Sequence, residues 1–165
     1  MIKKNKSTKI GDIFEVKISA TEKKYMQYIV SDLTQLNSDV VRVFSKSYGI
    51  DENPDNEQII SDDVDFYAHC STKLGIKMNT WYLYGNIQDV GTYSDVIFRD
   101  SEDYGNPQIK VSDRWYVWHI NEEFRNVGKL VGENRNSYIG IVFSPNSMLE
   151  YIRHGVYQGV YPRYE

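Results

Sequence analysis

Three histidines, His69, His119 and His154, and one cysteine, Cys70, are all the soft metal ligands and strong nucleophiles that the 165 residues supply. Bound zinc needs three or four such groups at short, regular spacings, and none are present. His69 and Cys70 are neighbours in a segment that reads as a strand, so their side chains point to opposite faces and cannot share an ion. Cys70 falls on the apolar face, where a lone cysteine packs as a small hydrophobe. The histidines read as half-exposed strand or helix-end residues. The chain also lacks a Gly-x-Ser-x-Gly elbow. The glycines of "GIKMNTWYLYG" lack the spacing of a phosphate loop. No metal and no cofactor is expected.

The densest chemistry lies in "SDRWYVWHINEEF", residues 112–124. Trp118, His119 and Glu122 could line a hydrolytic or nuclease pocket, with His119 and Glu122 exchanging a proton. Strand alternation opposes this. It puts Trp115, Val117 and His119 on one face, and Tyr116, Trp118 and Ile120 on the other. Both stripes are apolar, which is the pattern of a strand buried on both sides. Glu122 and Glu123 are adjacent, whereas glycosidase carboxylates face each other across a substrate from different elements. They read as a solvated turn. Exposed aromatics could also stack bases, but only Arg114 is close enough to hold a backbone phosphate.

The distinctive charge feature lies between Lys46 and Lys73. This stretch holds Asp51, Glu52, Asp55, Glu57, Asp62, Asp63 and Asp65 with no lysine or arginine among them. It reads either as a solvated loop and helix start or as a docking face for a cationic partner. The net charge of −4 argues against general nucleic-acid binding, which needs a cationic surface to displace counterions. The opening "MIKKNKSTKIGD" has no apolar run behind its lysines, and no later stretch approaches a membrane span. A cytoplasmic protein is expected.

These groups must be positioned by a β-rich framework. "DIFEVKI" alternates, with Phe14, Val16 and Ile18 on one face. "KYMQYIV" (24–30) and "DVVRVFS" (39–45) follow across short connections, which predicts an antiparallel meander. "ENPDNEQIIS" predicts a short helix near 54–61, with Asn53 capping and Pro54 in the first turn. "DVDFYAHC", "IKMNTWYLYG", "SDVIFRD", Trp115 to Ile120 and "YIGIVF" (138–143) read as further strands. "SPNSMLEYIRHG" is the clearest helix, near 145–154, with Ser144 as cap and Gly155 as stop. "VYQGVYPRY" reads as a last extended segment. The expectation is an α+β, β-rich single domain over 10–165 behind a flexible tail, 1–9. Its core would be a twisted antiparallel sheet or a partly open small barrel.

The succession "KIGDIFEVKI", "KYMQYIVSD", "VVRVFS", "PDNEQIIS", "DVDFYAHC", "TWYLYGNIQDV", "RWYVWHIN" and "RHGVYQGVYP" resembles the bacterial immunity protein 26 family. Members likewise open on a Gly-Asp-x-Phe strand and carry a Tyr-rich second strand. They also have a Trp followed by an aliphatic-Gly step, although Asn86 and Ile87 follow Gly85 here where an aliphatic-Pro pair is expected. The resemblance implies a non-enzymatic protein of a polymorphic toxin system that binds and neutralises a cognate toxin. It transfers no catalytic residue. If that toxin is a nuclease with a cationic cleft, Asp51 to Asp65 is the candidate contact. The alternatives are the hydrolase or nuclease pocket at Trp118, His119 and Glu122, and a small-barrel nucleic-acid-binding module.

Overall fold

The computed structural model describes residues 7–165, in which eleven strands form two mixed sheets accompanied by three α-helices. The first six residues of the expected tail lie outside the described residues. The end of that segment is tied down: the Lys9 amide donates to the Asp12 carboxylate at 2.9 Å, and the Thr8 and Thr72 hydroxyls are hydrogen-bonded.

The expected meander forms the centre of the larger sheet. Strands β1 (Asp12–Lys17), β2 (Glu22–Asp32) and β3 (Ser38–Phe44) pair antiparallel in sequence order. Strand β4 (Tyr48–Gly49) pairs with the start of β2. Helix α1 (Asn56–Ile60) follows, then β5 (Val64–Cys70) beside β3, helix α2 (Thr72–Lys77) and β6 (Tyr82–Asn86) beside β1. The second sheet holds β7 (Ile97–Ser101), β8 (Trp115–His119), β9 (Arg125–Gly128) and β10 (Tyr138–Ile139). Strand β11 (Val142–Phe143) returns to the first sheet beside β5, and helix α3 (Pro145–His154) closes the series. Both sheets are open, so the barrel alternative is not the one realised, and the α+β expectation holds.

Alternation sorts the large sheet into two faces. Phe14, Val16, Met26, Tyr28, Val41, Val43, Phe66, Ala68 and Cys70 point to one side, under Trp81, Ile141, Phe143 and the Met148 and Ile152 stripe of α3. The opposite face is divided. At one end Ile13, Tyr25, Phe44 and Tyr48 receive Ile59 of α1. At the other, Ile29, Val30 and Val40 receive Val96, Phe98 and Trp118 of the second sheet. Between the two apolar zones runs a polar strip. Arg42 Nε donates to Gln27 Oε1 at 2.9 Å, and the Gln27 amide donates to the carbonyls of Ile87 and Asp89 at 3.0 and 3.2 Å.

Several local expectations change. "YIGIVF" is not one strand but two, β10 and β11, in different sheets and each in a parallel pairing. Gly140 makes the crossing possible, because a Cβ there would lie 2.2 Å from the Trp118 ring. The segment predicted as extended from Ile76 begins in helix α2, whose cap Ser71 accepts from the Leu74 amide at 3.2 Å. Helix α1 is capped by Asp55 rather than Asn53. Asp55 and Gln58 bond each other's main chain in a capping box that leaves Pro54 outside the helix. Helix α3 matches its prediction, with Ser144 as cap and Gly155 left-handed at φ 68°. The "VYQGVYPRY" segment forms no strand, only an isolated bridge between Val111 and Arg163.

Candidate functional site

The aromatic strand packs both its faces. Trp115 and Val117 join Leu130 on one side, and Trp118 joins Phe98 on the other. Trp118, His119 and Glu122 therefore do not converge. His119 Nδ1 bonds the Val96 carbonyl at 3.0 Å, Glu122 is exposed, and Trp118 is 3 % exposed in the core.

What Trp118 does reach is a buried carboxylate that the sequence reading left unnoticed. Asp32, at the end of β2, accepts from Trp118 Nε1 at 3.1 Å and from His69 Nε2 at 3.0 Å on one oxygen. Its other oxygen accepts the amides of Gln35 and Asn121 at 3.1 and 3.2 Å. Asp32 and His69 are both 0 % exposed, which corrects the half-exposed reading of His69. Burial alone would raise the Asp32 pKa. The four donors, His69 foremost, outweigh it and hold the carboxyl below its ordinary value. Because an ionised carboxylate only accepts, Nε2 carries the imidazole hydrogen, and His69 Nδ1 is left buried without a partner among the described residues. The cluster bolts β2 and β5 of one sheet to β8 of the other. Strand alternation did place His69 opposite the apolar face, but nothing in the sequence linked it to Asp32, 37 positions away.

The acidic segment wraps around α1. Asp51, Glu52, Asp55, Glu57, Asp63 and Asp65 are exposed and Asp62 is half-buried. Three of the seven serve the local fold. Glu52 accepts the Gly49 amide, Asp55 caps α1, and Asp62 accepts the Lys46 amide. Asp65 pairs with Lys24 at 3.5 Å. Asp51, Glu57 and Asp63 make no side-chain hydrogen bond or ion pair among the described residues, so their charge is offered to solvent.

A cleft of about 500 Å³ opens between the sheets, lined by Tyr67, Tyr138, Asp95 and Glu133 among others. The two tyrosine rings meet edge to face at 5.4 Å. Burial, then the neighbouring Tyr67 and Asp65, raise the Tyr138 pKa, so the Asp65 charge reaches this cleft. No basic side chain is in its lining among the described residues. Among the described residues no group of three or more His, Cys, Asp or Glu is arranged to hold a metal ion, and no helix is long and apolar enough to cross a membrane.

Compared with models of known families, with curated proteins and with solved structures, the chain matches none.

Proposed function

We propose that this chain is a cytoplasmic immunity-type protein that binds and neutralises a cognate bacterial toxin domain, presenting its acidic surface to a cationic partner. The reading rests on the resemblance in segment order. The observation that carries the acidic contact is the free charge of Asp51, Glu57 and Asp63 around α1, with no cation paired to any of them among the described residues. A toxin nuclease binds phosphate through a cationic cleft, and a carboxylate surface competes for it by mimicking that charge. Exposed charges of this kind act mainly on encounter rate and partner choice. Asp95 and Glu133, in the cleft at Tyr67 and Tyr138, carry the same sign of charge outside the segment. Glu52, Asp55 and Asp62 support the surface from within, since their carboxylates already hold main-chain amides.

Co-expression with a toxin-like product encoded beside this gene tests the reading. Rescue of growth and a complex that survives gel filtration are expected. Continued toxicity with no complex overturns it.

A further inference from the structure

We propose that the cleft beside Arg99 is a binding site for an oxyanion, a phosphate or a carboxylate group. The cleft has a volume of about 300 Å³ and is lined by Arg99, Tyr161, Pro162, Arg163, Tyr164 and Glu165. It shares no residue with the acidic segment and does not depend on the function proposed above.

Arg99 is held in place before any ligand arrives. It sits on β7, between β10 and β8. Its carbonyl accepts the Gly140 amide at 2.7 Å and the Tyr161 hydroxyl at 3.0 Å. Its guanidinium donates through Nη1 to the Ser137 carbonyl and lies 5.6 Å from the centre of the Tyr164 ring. The charge of this half-buried group is uncompensated: no carboxylate among the described residues pairs with it, and Nε is buried with no acceptor. Buried cations are ordinarily paired, and an orphaned buried donor marks an incomplete site.

The neighbouring charges do not complete it. Glu165 is spent on Arg135 at 3.0 Å, and Arg135 itself lies 5.1 Å from the same Tyr164 ring. Arg163 is a second arginine in the lining. Its main chain is fixed, the amide donating to the Lys110 carbonyl at 2.8 Å and the carbonyl accepting the Ser112 amide at 2.9 Å, while its side chain is exposed. Two arginines therefore line a small cleft in which the Glu165 side-chain carboxylate is already paired. A planar fork of N–H donors matches the spacing of carboxylate and phosphate oxygens. Tyr161 and Tyr164 are packed against Trp115 and the arginines, so they wall the cleft rather than stack a ligand.

Titration with inorganic phosphate, with acetate and with chloride at constant ionic strength, followed through the Arg99 Nε–H resonance by NMR, tests the site. Saturable shifts with phosphate or acetate, and none with chloride, are expected. Saturation with phosphate alone assigns a phosphate ligand, with acetate alone a carboxylate, and with both an oxyanion without preference. Arg163→Gln, whose main-chain contacts persist, weakens binding about tenfold, the loss of one charge-assisted contact. Lys73→Gln on α2 leaves it unchanged. Non-saturating shifts common to all three anions, or wild-type affinity in Arg163→Gln, overturn the proposal. These are also the results expected if Arg99 only clamps Tyr164.

Discussion

Replacing Asp32 by alanine strands four donors at once, and their surroundings set the cost. His69 Nε2 and Trp118 Nε1, at 3.0 and 3.1 Å, lose their acceptor inside the core. Each buried donor left unsatisfied costs about 1–3 kcal/mol. The amides of Gln35 and Asn121 sit in turns at the surface, where water can replace the carboxylate, and together add about 1 kcal/mol. The expected loss is therefore about 3–7 kcal/mol, a large share of the roughly 5–15 kcal/mol typical of a folded domain. Asp32→Asn loses less, about 1–3 kcal/mol, because its one amide oxygen can still serve the buried pair. The pH dependence has a definite sign. The folded pKa of Asp32 is lowered, so its contribution is complete above the unfolded value of about 4 and disappears as pH falls through the folded value. The gap between wild type and variant should narrow in acid accordingly. Urea unfolding followed by tryptophan fluorescence measures it. In a Trp118→Phe background, which lacks the indole N–H, the cost of Asp32→Ala should drop by about 1–2 kcal/mol. An alanine variant within about 1 kcal/mol of wild type at pH 7, or a cost unchanged by Trp118→Phe, refutes the claim that this carboxylate joins the sheets.

Further outcomes follow from the packing and the titrating groups. Gly140→Ala, which drives a Cβ to within 2.2 Å of the Trp118 ring, should cost about 1–3 kcal/mol in the same unfolding assay. Burial pushes the Cys70 thiol well above its ordinary value, so it should resist a disulfide reagent at pH 8 in the native protein and react fully in denaturant. Burial also pushes Asp100 up to about 6, against the hydrogen bonds from Ser101 and Tyr116. A carboxyl whose folded pKa is raised stabilises least once ionised, so its penalty grows as pH rises from about 4 to about 6 and persists above. Asp100→Asn should therefore be more stable than wild type above pH 6, by about 1 kcal/mol, and NMR titration of the Asp100 carboxyl carbon should give its midpoint directly.

Sequence alone exposed most of the framework because the relevant forces are local. Phe14, Val16 and their neighbours alternate with the strand period, and Ser144, Pro145 and Gly155 punctuate α3 at its ends. The misreadings came where a distant contact decides. Residues 138–143 read as one strand because all of them suit a sheet, and only the Trp118 ring over Gly140 shows where the chain changes sheets. Ile76 suits a strand as well as a helix, and the Ser71 cap tipped the balance. Arg125–Gly128 has little apolar signal and becomes β9 through pairing with β8. The exposure of most of the acidic segment follows from its composition. That Glu52, Asp55 and Asp62 hold main-chain amides while Asp51, Glu57 and Asp63 do not depends on the path of the loop around α1.

The central claim is that the free charges around α1 draw in a cationic toxin partner. It is tested most directly by the association rate with the toxin-like product of the neighbouring gene, measured across ionic strength for wild type and for Asp51→Lys/Glu57→Lys/Asp63→Lys. The substitutions touch no hydrogen bond or ion pair of the described side chains, so the fold is expected to persist. Association should slow by about tenfold or more at low salt, and its salt dependence should flatten. A complex that forms with the same rate and the same salt dependence in both proteins contradicts the account.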